Sequence, residues 1–277
     1  MTPSSADRCF PRDEEHKVVQ NGEAMKPANT VVLIPTHNER DNVKSLVRGV
    51  LDRQREVDDF AISILVVDSR SADGTQGAVQ DLIEDDRRVR LLEVSERGLG
   101  LALMEGYRWA SEEMGAQVIV QMDGDHSHDP RYLPEMLREI AQGYDLVVGS
   151  RYIEGGRATN WPLSRRILSW GANLLIRLMT GRWNIHEWTS GYRAFTTDLY
   201  RKLDFESIGW RDYTLVPAFV YEAVCKGARV KEVPIVFVNR KLGESKLPMS
   251  YGVNLVRHFA TASFRYRLGR HKSAPQG

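Results

Sequence analysis

The sequence predicts an α/β architecture in which helices cover both faces of a mostly parallel sheet. Three observations carry this expectation. Short runs of β-branched and other apolar residues recur without polar alternation; longer stretches between them place apolar residues three and four apart; carboxylate- or glycine-bearing turns follow the apolar runs directly. Strands apolar on both faces belong to parallel sheets joined by helical crossovers, a Rossmann-like arrangement.

Val31 to Ile34 reads as the first strand, and Asn42 to Arg53 as a helix with Val43, Leu46, Val47 and Val50 on one face. Ile62 to Val67 is the second strand, followed by a helix from about Gly74 to Glu84. Val89 to Val94 is the third strand, with a helix from Gly100 to Met114. Val118 to Met122 and Asp145 to Gly149 complete the series. After Ser150 the rhythm changes: a glycine-bearing loop (Glu154–Gly156) precedes a helix from Leu163 to Met179, then a loop from Trp188 to Tyr192. A helical segment near Tyr213 to Lys226 and a strand from Val233 to Val238 follow. Residues 251–270 carry Val253, Val256, Phe259, Ala260 and Phe264 at helical spacing, with arginines between them.

At 277 residues the chain can bury a substantial core as one large domain or two small ones. A formal net charge of +1 gives no long-range attraction to nucleic acid, so no nucleic-acid partner is expected. Cys9 and Cys225 lie far apart with no zinc-ribbon spacing, which points to a reducing, cytoplasmic compartment. No apolar run approaches the ~20 residues that span a bilayer. Residues 1–28 are polar, lack the apolar core of a signal peptide and read as a disordered extension.

The most informative stretch is Val118 to Pro130, where a strand runs into Asp123 and Asp125, one residue apart. A loop at the carboxyl end of a strand is where open α/β sheets place ligands. Asp-x-Asp there can hold a hard divalent cation against a diphosphate leaving group. The same residues would also make an acidic turn before a helix starting at Asp129-Pro130. His126 and His128 nearby raise a zinc alternative, although carboxylates and phosphates suit a harder ion.

Pro35-Thr-His-Asn-Glu39 closes the first strand and Val67-Asp-Ser-Arg-Ser-Ala-Asp-Gly-Thr75 the second. Gly98-Leu-Gly100, the Asp123 loop, Gly149-Ser-Arg-Tyr152, Thr189-Ser-Gly-Tyr-Arg193 and Gly243-Glu-Ser-Lys246 follow. In that order and spacing, over roughly residues 29–248, these segments resemble the family 2 glycosyltransferases with the glycosyltransferase-A fold. Within that family the likeness is to enzymes that mannosylate dolichyl or polyprenyl phosphate.

The resemblance implies that Pro35, His37 and Glu39 line a nucleoside pocket, with Asp68 and the Val67 backbone beside the base. Capping of the helix that begins near Asp41 by Asn38 and Glu39 is the structural alternative. Ser69 stands where the family usually has a second Asp, and a hydroxyl reproduces only part of what a carboxylate offers guanine. Asp123, Gly124, Asp125 and Ser127 would face the diphosphate and a Mg²⁺ or Mn²⁺ ion. Arg151, Arg165 and Ser169 would hold the acceptor's phosphate, and Arg240 and Lys246 the donor's phosphates. For Arg165 the alternative is a solvated basic surface beside Arg166. Val216 and Ala218 occupy places where relatives often carry Gln and Glu; Asp212 is the nearest candidate base.

The resulting expectation is an inverting transfer of mannose from GDP-mannose to a polyprenyl phosphate. Its glycosyltransferase domain would span 29–250, divided into a nucleotide-sugar half (29–150) and an acceptor half (151–250), with a basic amphipathic segment at 251–277. The protein would lie in the cytoplasm, peripheral at the cytoplasmic face of a membrane or held by a membrane-anchoring subunit. Another nucleotide sugar, a small-molecule or protein acceptor, and a non-catalytic nucleotide-sugar-binding role remain open alternatives at this point.

Overall fold

The computed structural model describes residues 26–205 and 214–239. A seven-stranded sheet carries the order β3-β2-β1-β4-β7-β5-β8. Its strands are β1 (Ala28–Thr36), β2 (Phe60–Asp68), β3 (Val89–Glu93), β4 (Val118–Gln121), β5 (Leu146–Ser150), β7 (Arg193–Thr196) and β8 (Val230–Pro234). Every pairing is parallel except those of β7, which runs antiparallel between β4 and β5. A small second sheet pairs β6 (Arg157–Thr159) with β9 (Val236–Val238). The helices are α1 (Arg40–Asp52), α2 (Thr75–Asp85), α3 (Leu99–Glu112), α4 (Leu133–Ala141), α5 (Leu163–Thr180), α6 (Thr197–Lys202) and α7 (Leu215–Cys225). The mostly parallel sheet flanked by helices is the predicted fold class.

Side chains leave a strand on alternate faces, so β1 feeds two cores. Val31 and Leu33 join the cluster with α3, α7 and Trp188, whereas Val32 and Ile34 join the cluster with α1, α2 and α4. The helix α1 buries the stripe its spacing predicts, Val43, Leu46, Val47 and Val50.

The short helix α6 is not in the sequence expectation, and three strand regions also depart from it. The strand expected over Val233 to Val238 is two strands: Pro234 ends β8, Ile235 donates to the Ser150 carbonyl at 2.9 Å, and β9 turns to a different sheet. A proline without an N–H marks that break. The strands β6 and β7, three and four residues long, carry too little periodicity to be read. In β7 the alternation is masked by a buried arginine, Arg193.

The topology fixes where a ligand sits. From β1 the chain winds through β2 to β3, and α3 then carries it back across to β4 on the other flank of β1. Crevices form outside the carboxyl ends of strands where the winding reverses. Because β7 is antiparallel, the loop entering it lies at that same end of the sheet, beside the exits of β4 and β5. The crossover helix is seated tightly: a Cβ on Gly106 would lie 2.5 Å from Leu33 Cδ1 and 2.9 Å from Val67 Cγ2. Gly106→Ala should therefore destabilise the protein by about 1–3 kcal/mol despite its better helix propensity. Urea unfolding with an unchanged slope checks it; a neutral or stabilising result would show that α3 sits loosely.

Candidate active site

The loops after β1 and β2 are laced together. The amide of Asn38, a residue in the left-handed region at φ 58°, donates to Ser71 Oγ at 2.8 Å, and its side-chain oxygen accepts from the Ala72 amide at 2.9 Å. His37 Nδ1 lies 2.8 Å from the Ser69 carbonyl, and the Ser69 amide donates to the Thr36 carbonyl. Glu39 stands at the N-cap of α1 with no side-chain capping bond; its carboxylate instead accepts from Asn42 Nδ2 at 2.8 Å, and its amide donates to Thr75 Oγ1. Burial pushes the Asp73 carboxyl up, but hydrogen bonds from the Thr75 hydroxyl and the Arg40 and Thr75 amides outweigh it and hold it below the usual range.

Asp68 is fully buried, and its carboxylate accepts from Thr36 Oγ1, the Ser71 amide and hydroxyl, and Gln76 Nε2. Four donors fill its ordinary acceptor sites. Its carboxylate thus builds the loop that Val67 and Ser69 flank.

On the other side of β1, Gly124 fits against the first loop: an added Cβ would come within 3.2 Å of the Pro35 carbonyl oxygen and 3.5 Å of Glu39 Cγ. That contact brings Pro35, Glu39 and the Asp123–Asp125 turn together. The turn is held by its own donors, with the Ser127 amide bonded to Asp125 Oδ1 at 3.0 Å. The Asp123 amide donates to His128 Nδ1 at 3.0 Å. His128 is buried and stacks on Tyr192 with ring centroids 5.0 Å apart, and burial depresses its basicity. A ring that accepts an amide N–H on Nδ1 is a scaffold for the turn, whereas His126 points to Ser45 Oγ at 2.7 Å. Asp123 and Asp125 remain partly accessible at the mouth. Hard carboxylate oxygens such as these suit Mg²⁺ or Mn²⁺ better than a softer ion.

Around the exit of β5 and the loop entering β7, Arg151 and Thr189, which the motifs contain, are organised by Glu187, Glu232 and Asn173, which no motif indicated. Arg151, 8% exposed, donates through Nε and NH2 to the two oxygens of Glu187 at 2.7 and 2.8 Å, and through NH2 to Thr189 Oγ1. Glu187 is wholly buried; burial alone would raise its pKa, but the Arg151 charge and the Thr189 donors bring it below the ordinary value. Glu232 on β8 accepts from the amides of His186 and Glu187. Asn173 on α5 accepts from the Trp188 amide. Arg193 donates to the carbonyls of Ser190 and Val216, tying this loop to α7. Glu187 lies one residue outside the loop recognised in the sequence, and nothing in the spacing distinguishes it from a surface acid.

Arg151, Arg165 and Ser169 gather around two aromatic rings. The Arg151 and Arg165 guanidinium carbons lie 5.0 and 4.3 Å from the Trp161 ring centre, and Tyr152 donates to Ser169 Oγ at 2.7 Å. Arg165 also donates to Asn239. Beside them opens a cavity of about 450 Å³ lined by Arg151, Arg157, Trp161, Arg166, Ile167 and Trp170. The buried Trp161 Nε1 has no hydrogen-bond partner among the described residues. Leu163, Ile167, Leu168, Trp170 and Leu178 on α5, with Trp183 just beyond, are all more than half exposed. Of the remaining expected site residues, Arg240 and Lys246 lie outside the described residues, as do Asp212 and the 251–277 segment.

Comparison with known proteins agrees with this geometry. The model of a family described as "Glycosyl transferase family 2" matches residues 31–209. The chain is 38% identical over 218 residues to an undecaprenyl-phosphate mannosyltransferase of Micrococcus luteus, covering 78% of this chain and 86% of that one. It is 36% identical over 263 residues to a polyprenol monophosphomannose synthase of Mycolicibacterium smegmatis, covering 94% and 97%. Among solved structures it is similar to glucosyl-3-phosphoglycerate synthase from Mycobacterium tuberculosis in complex with Mn²⁺, UDP and phosphoglyceric acid, at TM-score 0.61 and 18% identity over 87% of this chain and 79% of that one. The same neighbour has been crystallised with Mg²⁺ and UDP.

The Glu187 ion pair sets a stability test. A carboxylate held below its ordinary value of 4.5 stabilises the fold fully above that pH, and the contribution is lost as pH falls through the depressed value. Glu187→Gln leaves the Arg151 charge buried without its partner and should cost about 3–5 kcal/mol at pH 7. Thermal melts from pH 3 to 8 should show the variant's deficit constant above pH 5 and shrinking in acid; a deficit that persists unchanged at pH 3 contradicts this account.

Proposed function

The chain belongs to glycosyl transferase family 2, and from that premise we propose that it transfers mannose from GDP-mannose to a polyprenyl phosphate with inversion at the anomeric carbon. The observation that carries the acceptor assignment is the cavity beside α5. Arginines, two indole rings and exposed apolar side chains meet there. Guanidinium cations match a phosphate, and the apolar helix face matches an attached hydrocarbon chain. The two curated relatives, whose names specify undecaprenyl phosphate and polyprenol, support the same acceptor class.

In this reading residues 29–150 form the nucleotide-sugar half and 151–250 the acceptor half, both built on one continuous sheet. Pro35, His37, Glu39 and the Val67–Ser69 loop receive the nucleoside, with Asp68 ordering that loop. Asp123, Asp125 and Ser127 would hold Mg²⁺ or Mn²⁺, which supplies charge neutralisation at the departing diphosphate. Arg151, Arg165 and Ser169 orient the acceptor. A phosphate oxygen attacks the anomeric carbon as the bond to the diphosphate breaks, and GDP leaves. A phosphate monoester is already largely a dianion at neutral pH because its second pKa is about 6. The reaction therefore needs no side chain to remove a proton, in keeping with Val216 and Ala218 at the start of α7. Among the described residues no helix is long and apolar enough to cross a membrane. The exposed face of α5, with Arg166 and Arg177 beside its tryptophan and leucines, reaches the lipid by lying in the surface of the cytoplasmic leaflet.

Two measurements check the proposal. Asp125→Ala should abolish the metal-dependent part of GDP binding in calorimetry while leaving the melting temperature within a few degrees; unchanged, metal-stimulated binding would remove the metal assignment. With GDP-mannose as donor, polyprenyl phosphate should be mannosylated and the phosphate-free polyprenol should not. Equal turnover of the alcohol would overturn the acceptor assignment.

A further inference from the structure

The acid closest to the donor loops is not free to meet a nucleobase, because Asp68 is buried with four donors on its carboxylate. Its sheet neighbour is differently placed. Glu93, the last residue of β3, stands opposite Asp68 in the β2–β3 register. Its side chain lines an open cavity of about 620 Å³ with Arg70, Ser71, Ala72, Gln76 and Arg97. That volume falls within the roughly 300–1,000 Å³ of small-molecule sites. Among the described residues no hydrogen bond or ion pair holds the Glu93 carboxylate, although two arginines share its cavity. One of them, Arg70, is turned toward the loop after β3, donating to the Ser95 carbonyl at 3.3 Å.

The floor of this cavity is fixed. The Val94 amide donates to the Asp68 carbonyl at 2.9 Å, so the end of β3 cannot drift from the end of β2. Gln76, which also lines it, is anchored on Asp68. The cavity therefore opens directly beside the Val67–Ser69 loop, at the carboxyl edge of the sheet. It presents one unengaged carboxylate, Glu93, and cationic side chains on the same rim.

We propose that Glu93 reads the base of the donor nucleotide as guanine, accepting from its ring N1–H and exocyclic amine, with Arg97 or Arg70 facing the O6/N7 edge. This deepens the proposed function and rests on its donor assignment. Guanine is the base that puts two N–H donors side by side, matching the two oxygens of a carboxylate, and a pair of acceptors that suits arginine. Uracil offers a single N–H between two carbonyls, so a carboxylate set against that edge meets an acceptor as well as a donor. Adenine offers an amine beside a ring acceptor, with the same mismatch. A carboxylate in this position gives guanine selectivity with Ser69 contributing only a hydroxyl.

Calorimetry of wild type, Glu93→Gln and Glu93→Ala with GDP, IDP and UDP in the presence of Mn²⁺ tests this. IDP lacks the exocyclic amine, so wild type should bind GDP more tightly than IDP and UDP. Glu93→Gln should weaken GDP roughly 10- to 100-fold, the scale of losing charge-assisted hydrogen bonds. It should nearly erase the GDP-over-IDP preference and leave UDP within about threefold. Glu93 is exposed, so both variants should melt as wild type does. Wild type that favours GDP while both variants bind all three nucleotides unchanged would overturn the Glu93 assignment and leave the donor assignment standing. Wild type that favours UDP over GDP would overturn the donor assignment and this inference with it.

Discussion

Arg151 and Glu187 are both withdrawn from water, and the cost of that withdrawal is offset only while they remain bonded to each other. An isolated buried carboxylate or guanidinium would be penalised by several kcal/mol. The segment from His186 to Thr189 is therefore committed to one conformation. From that commitment the neighbouring contacts follow. Thr189 donates to Glu187, Asn173 draws α5 onto the Trp188 amide, and Glu232 brings in the edge of β8. Four segments distant in sequence meet at one ion pair. The aromatic rings that surround Arg151, Tyr152, Trp161 and Phe237, pack on a guanidinium whose position is already settled.

The loops after β1, β2 and β4 follow a different principle. No buried ion pair holds them among the described residues; they are fixed by amide and hydroxyl donors to Asp68 and Asp73, and by the absence of a side chain at Gly124. Asp68 does for these loops what Glu187 does for the His186–Thr189 segment, but with neutral donors. A ligand entering such a loop meets amides and hydroxyls whose partners are already assigned, so little ordering remains to be done on binding.

Much of the fold was legible because the strands announce themselves. The runs ending at Ile34, Val67 and Met122 are too apolar to be anything but buried, and the α1 stripe falls where its spacing places it. The loops after β1, β2 and β4 could be located from sequence because each carries carboxylates close after a strand. What could not be read is tertiary in origin. Glu187 looks like any surface acid until Arg151 is brought against it, and Arg193 conceals a strand that exists only because β4 and β5 leave room for it. The division of Val233 to Val238 between two sheets was signalled only by Pro234, and a single proline also fits an edge strand. For Arg165 and Ser169, helical spacing gave a shared face, but not the intervening Trp161 and Tyr152.

The exposed face of α5 also governs how this protein behaves as a colloid. Leu163, Ile167, Leu168, Trp170 and Leu178 present bulky hydrocarbon to solvent along a single helix, a patch of the kind monomeric proteins seldom leave bare. A net charge of +1 supplies almost no mutual repulsion between molecules. In plain buffer near neutral pH, an apolar face of this size on a molecule of such low net charge favours self-association.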